Sequence, residues 1–190
     1  MNLVERIKGI LLKPKDEWQI IAQEPGTPQT LYPAYIIPLA AIGPVASVIG
    51  LSVVGISVPM GGTIHIGLFS AVASALTSLV LALVGVYVIA LIIDALAPSF
   101  GASKNPSQAF KVAAYSATPG WLAGIFSLLP GFLTIVGTLL SLYGIYLLYL
   151  GLLALMHPPR EKAIAYTAVV ILVTFLIMLA IGFVSHIFIR

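Results

Sequence analysis

Four runs of the chain are almost purely apolar. Leu31 to Ile64 and Val112 to Met156 contain no charged residue. Ile64 to Leu96 holds one acid, Asp94, and one histidine, His65, and Ala163 to Ile189 holds one histidine, His186, and no charged residue. A helix crosses the hydrocarbon core with about 20 residues. The 45 residues from Val112 to Met156 are therefore too long for one crossing and right for two. Breakers divide the runs: Pro59, Gly61 and Gly62; Pro98, Phe100 and Gly101; Leu129-Pro130-Gly131; His157-Pro158-Pro159. The pattern predicts five transmembrane helices over roughly 35–56, 64–96, 106–129, 132–156 and 163–189. Gly43-Pro44 should kink the first and Pro119 the third. Small residues recur at close-packing spacing: Ser70, Ser74, Ser78 and Ala82; Ala113 and Ala117; Gly120 and Gly124; Gly137 and Ser141; Gly144 and Gly151. Such stripes let helices approach closely. They suit internal packing and a homo-oligomer equally.

Residues 1–30 follow a different pattern and read as a segment apart from the helical domain of 31–190. Val4, Ile7, Ile10 and Leu11 recur at helical spacing, with Arg6, Lys8 and Lys13 on the other side. Pro14 interrupts, and Trp18 and Ile21 share the next face. A basic amphipathic stretch with a tryptophan suits the headgroup region. Arg6, Lys8, Lys13, Lys15 and Trp18 are thus expected at the lipid surface, with anionic headgroups as partners. Packing against one end of the bundle is the alternative. No apolar core of signal-peptide length precedes Leu31, so the first transmembrane helix is expected to direct insertion.

Composition fixes the class. The chain is 60% hydrophobic and 8% charged, with a mean hydropathy of +1.11, against about 25% charged residues in soluble domains. It reads as an all-α integral membrane protein. The charges also give an orientation. Arg6, Lys8, Lys13 and Lys15 precede the first span, Lys104 and Lys111 follow the second, and Arg160 and Lys162 follow the fourth. Eight of nine basic residues fall on the side of the N-terminus and only Arg190 opposite. The positive-inside rule then places the N-terminus in the cytoplasm and the C-terminus outside the cell membrane.

The richest polar chemistry lies between the second and third spans, in Asp94–Trp121. Pro98 and Gly101 end one helix. Asn105 is a natural N-cap for the next, with Pro106 at its first position. Pro98, Gly101, Asn105, Pro106 and Pro119 make this a hinge. Asp94 is an ionisable group in an apolar helix, which points to function or to a compensating partner. Lys104 and Lys111 are the nearest cations in sequence. Asp94→Asn is expected to lower activity or folding yield. Tyr143, Tyr146 and Tyr149 recur every three residues, and Tyr115 lies in the helix before.

The residues LAPSFGASKNPSQAFKVAAYSATPGWLAGIFSLLPG, with YGIYLLYLGLLALMHPP, KAIAY and the opening RIKGILLKPKDEW, resemble the prokaryotic branch of the Yip1 family. Phe100-Gly101, Ala114-Tyr115-Ser116, Thr118-Pro119 and Leu148–Gly151 carry the likeness. The resemblance implies a five-helix membrane protein with a cytoplasmic N-terminus. Eukaryotic members bind prenylated Rab GTPases. No Asp-Leu-Tyr-Gly-Pro motif precedes the first span here, so Rab binding is not carried over.

No catalytic constellation is visible: there is no Gly-x-Ser-x-Gly, no phosphate-binding loop, no His-Glu-x-x-His and no cysteine. His65, His157 and His186 do not form a metal site by spacing. No cofactor is implied, and the few basic residues lie beside the membrane, against nucleic-acid binding. The chain reads as a non-enzymatic membrane module engaging lipid or an unknown membrane or cytoplasmic protein. The alternative is a small transporter or channel with Asp94, Tyr115, Tyr143 and Tyr146 around a hydrated cavity.

Overall fold

The N-terminal segment forms two short helices whose boundaries follow from local chemistry. In the computed structural model, which describes residues 2–58, 62–129 and 133–188, α1 spans Leu3–Leu12 and α2 Pro14–Gln23. The Asn2 side chain caps α1 by accepting from the Val4 N–H at 3.1 Å. Pro14, with no N–H to leave unpaired, starts α2, and Asp16 and Glu17 sit in its first turn, facing the positive end of the helix dipole.

The first apolar run is helical over Pro28–Val54 (α3). It begins and ends earlier than the hydropathy predicts, and it is not regular. Pro33, Pro38 and Pro44 each remove a backbone donor. The helix responds with π-turns at Tyr32–Ile36 and Gly50–Val54 and an irregular turn at Ala41. A hairpin absent from the all-helical expectation follows, pairing β1 (Ile56–Val58) antiparallel with β2 (Gly62–Ile64). The turn expected at Pro59 and Gly61 falls outside the described residues. The second long helix, α4, runs Leu68–Leu96 and starts after the hairpin rather than at Ile64. Its 29 residues extend about 43 Å at 1.5 Å per residue. That exceeds the roughly 30 Å apolar core of a bilayer.

A 3-10 turn at Ala97–Phe100 ends α4, and Gly101 takes the left-handed conformation at φ 69°. That conformation suits glycine, which has no Cβ to clash. The Asn105 side chain then accepts from the Gln108 N–H at 3.1 Å to open α5 (Pro106–Ser116), with Pro106 in its first turn. The third expected span is divided: α6 (Thr118–Ala123) follows after a break at Ala117, then a 3-10 turn at Gly124–Leu128. Pro119 explains the break, since its ring nitrogen cannot donate to the Tyr115 carbonyl four residues back. Thr118 Oγ1 takes over that role, donating to the Tyr115 carbonyl at 2.7 Å, and lies 2.7 Å from the Tyr35 hydroxyl. Helix α7 spans Leu133–Gly151 and continues as a π-turn to Met156. Helix α8 spans Arg160–Phe188. The turn proposed at Pro130-Gly131 lies outside the described residues.

Among the described residues, three helical runs are long and apolar enough to cross a membrane: Pro28–Val54, Leu68–Phe100 and Gly137–Met156. Large apolar side chains such as Phe69, Leu76, Val80 and Leu81 project outward along α4, as a lipid-facing surface requires. The packed face of α4 is Ala71, Ala75, Gly85, Val86 and Ala90. The predicted stripe of Ser70, Ser74 and Ser78 is exposed instead. Elsewhere small residues do mark the crossings. A Cβ on Gly124 would lie 2.6 Å from the Gly43 Cα, and one on Gly144 2.8 Å from the Ser116 carbonyl oxygen. These two glycines allow backbone to rest on backbone.

Candidate functional site at the polar end of the bundle

A hydrophobic core lies where α1 and α2 fold across the ends of α5 and α7. Ile10, Trp18, Ile21, Phe110, Tyr115 and Leu152 are buried together. The α1–α2 unit is held there by charge as well as packing. The Arg6 guanidinium, 4% exposed, bonds the carboxylates of Glu17 and Glu24 through separate nitrogens. It also lies over the Tyr115 ring, 5.7 Å from its centroid. Burial, the largest single influence, pulls its pKa down. The hydrogen bond to Glu24 and the charges of Tyr115, Glu24 and Glu17 outweigh it, and the net direction is up. Arg6 therefore stays charged.

A second set of contacts satisfies the ends of α1 and α2. The last carbonyls of a helix have no partner within it. Lys111 Nζ donates to the carbonyls of Ile21 and Glu24, each at 2.8 Å, and Gln108 Nε2 donates to Ala22 at 3.1 Å. Ser107 Oγ donates to the Gly26 carbonyl at 3.2 Å, and the Tyr143 hydroxyl to the Leu11 carbonyl at 3.1 Å. A cation at a helix C-terminus is also favoured by the dipole. Trp18 fills the space beside Gly151, where a Cβ would come within 2.8 Å of two indole carbons, and meets Tyr115 edge-on at 6.1 Å.

Two of the five residues expected at the lipid surface are thus inside the protein: Arg6 in an ion-pair cluster and Trp18 in the core. Glu17 and Glu24 draw the arginine inward. Lys8, Lys13 and Lys15 are exposed. Glu17 and Glu24, not singled out from the sequence, are what turn the amphipathic segment into a docked unit.

Asp94 is buried near the end of α4, at 8% exposed. Its Oδ2 is 4.0 Å from Lys104 Nζ, whereas Lys111 is engaged with α2. Its Oδ1 has no hydrogen-bond partner among the described residues. Asp94 borders a small cavity of about 130 Å³ with Tyr87, Ser107 and Phe110. Nearby, the Tyr166 hydroxyl donates to the Ile93 carbonyl, and Phe100 stacks on Tyr166 at 4.9 Å, pinning α8 to α4. Tyr115 is buried against Tyr35 at 4.7 Å. Tyr143 bonds α1, and Tyr146 is half-exposed on α7. None of Tyr115, Tyr143 and Tyr146 borders the Asp94 cavity among the described residues.

This geometry reverses the stability effect expected for Asp94→Asn from the sequence, a lower folding yield. Its partner Lys104 is 64% exposed, so the pair contributes little. The carboxylate faces the negative end of the α4 dipole. Asp94→Asn should therefore leave thermal stability in detergent unchanged or raise it by up to about 1 kcal/mol. A loss beyond about 2 kcal/mol would show that the ionised carboxylate holds the fold.

The Yip1 domain model matches residues 8–182. The chain belongs to the Yip1 family. Its relatives include the inner membrane protein YohC of Escherichia coli strain K12. The two are 26% identical over 167 residues, or 87% of this chain and 86% of that protein. YohC from Escherichia coli O6:H1 matches to the same extent. No solved structure matches. The Yip1 match runs from α1 through most of α8, so the N-terminal helices that dock on the bundle fall largely within the family's domain.

Proposed function

We propose that this Yip1 protein is a non-enzymatic, five-span module of the cytoplasmic membrane. Its N-terminus faces the cytoplasm, and it organises the inner leaflet by gathering anionic lipid beneath a rigid basic platform. The observation that carries the reading is the locked α1–α2 unit. Arg6, Lys111 and Trp18 hold it against the bundle, while Lys8, Lys13 and Lys15 stay in solvent. Lysines fixed beside a membrane attract anionic headgroups at about 1 kcal/mol each, and a rigid scaffold spends little entropy in doing so. The distribution of basic residues supports the orientation, and the relatives named as inner membrane proteins support the compartment. Segments 106–129 and 160–188 complete the five spans. The same platform suits a protein partner with an acidic surface.

The test uses the full chain in nanodiscs. Wild type should be more stable to heat in discs containing phosphatidylglycerol than in pure phosphatidylcholine, and Lys8→Gln/Lys13→Gln should lose about half of that difference. Equal stability of wild type in both lipids would sink the reading. Orientation is read separately. The chain has no cysteine, so a single Lys8→Cys should react with an impermeant maleimide only in inverted membrane vesicles.

A further inference from the structure

A cleft of about 600 Å³ opens where α2 meets the corner between α7 and α8. Its rim holds three basic side chains, Lys15 from α2, His157 from the corner and Arg160 from the start of α8. Its apolar wall includes Trp18, Tyr149 and Leu153. None of the described residues lining it is acidic; Asp16 and Glu161, the nearest acids in sequence, are not among them. His157 is the one non-glycine residue with positive φ among the described residues, at 53°, held ahead of Pro158 and Pro159. Trp18 Nε1 is buried, with no acceptor among the described residues.

The cleft has a continuation. Tyr149 also borders a groove of about 710 Å³ between α7 and α8. That groove is apolar, with Leu142, Ile145, Ile164, Ala168 and Ile171 along it. From Tyr149 to Leu142 and from Ile164 to Ile171 are two helical turns each, about 10 Å along both helices. The two helices run antiparallel from the corner at His157, so the groove leads from the basic cleft away from the polar end, toward the apolar middle of the spans. A basic headgroup cleft joined to an apolar channel matches an amphiphile with an anionic head and a hydrocarbon chain. A soluble phosphate would leave the groove unused. A zwitterionic headgroup would find no carboxylate on the rim for its ammonium.

We propose that Lys15, His157 and Arg160, with the α7–α8 groove, form a binding site for one anionic phospholipid. The phosphate meets the cationic rim and an acyl chain lies along the groove over Ala168. This deepens the membrane-surface reading and rests on it, but the residues at stake differ. Lys8 and Lys13 belong to the open platform; His157, Arg160 and Ala168 belong only to this site.

The experiment is native mass spectrometry of the purified full chain, titrated with phosphatidylglycerol, phosphatidylcholine or glycerol phosphate. Wild type should retain one phosphatidylglycerol through delipidation and no phosphatidylcholine. His157→Gln/Arg160→Gln should weaken retention about tenfold, as loss of charge-assisted hydrogen bonds implies. Ala168→Phe, which fills the groove from its exposed side without touching the rim, should weaken it as well. Lys8→Gln/Lys13→Gln should retain lipid like wild type. Equal retention of both lipids, full retention in both site variants, or saturation by glycerol phosphate alone would overturn the proposal. If the site variants lose nothing while Lys8→Gln/Lys13→Gln loses its nanodisc stabilisation, the platform reading stands and this site falls.

Discussion

Arg6→Met should release the α1–α2 unit from the bundle and cost about 3 kcal/mol of thermal stability, at the lower end of the range for breaking a buried ion pair. The cost comes from what is left behind. Arg6 is 4% exposed and touches both Glu17 and Glu24. Without it, two carboxylates face each other beside the aromatic ring of Tyr115. Glu24 is 40% exposed and can turn to water, so the full range is not expected. Arg6→Lys should recover only part of the loss, since one ammonium cannot satisfy both acids in the fork geometry of a guanidinium. The informative variant is Arg6→Met/Glu17→Gln/Glu24→Gln. Neutralising all three partners removes the stranded charges, so it should be more stable than Arg6→Met alone. Limited proteolysis at Lys13 reports the same event, with cleavage faster in Arg6→Met than in the triple variant. If Arg6→Met melts like wild type, the arginine does not hold the hairpin, and the platform would be mobile.

The parts of the architecture that could be read from the sequence are those decided within one or two turns. Asn105-Pro106 starts a helix because a side-chain acceptor and a missing N–H act on the same turn. Gly101 ends one because its φ of 69° suits no branched side chain. Pro119 breaks the third run for an equally local reason. Two things could not be read. The first is which small-residue face of α4 points inward. Ser70, Ser74 and Ser78 lie one position from Ala71 and Ala75, are nearly the same size, and lie on a helix apolar on every side. In a bilayer the lipid-facing side is as hydrophobic as the packed one, so hydropathy carries no signal for the choice. The second is the Arg6 cluster. Its acids are 11 and 18 positions away and reach it only because Pro14 folds α2 back along α1. The spacing within each helix gives no hint of that. The candidate lipid site is illegible for the same reason, since Lys15 meets His157 and Arg160 only through the docking of α2.

Trp18 and Gly151 should behave as one unit. Trp18 is fully buried, and truncating a buried tryptophan to alanine costs about 3–5 kcal/mol. Trp18→Ala is therefore expected to be among the most damaging single changes in the N-terminal unit. Gly151→Leu should also destabilise, for the opposite reason. Even a Cβ there meets two indole carbons at 2.8 Å, and the indole is packed between Tyr115 and α7. Overpacking of this kind costs about 1–3 kcal/mol. In the double variant the leucine grows into the space that the indole vacates. Its loss should fall short of the sum of the single losses by at least about 1 kcal/mol, a coupling expected only for residues in contact. Melting temperatures of the four proteins in one detergent measure it. Strict additivity would mean that Trp18 does not rest on Gly151. The contact that brings Lys15 to the rim of the cleft would then be lost with it.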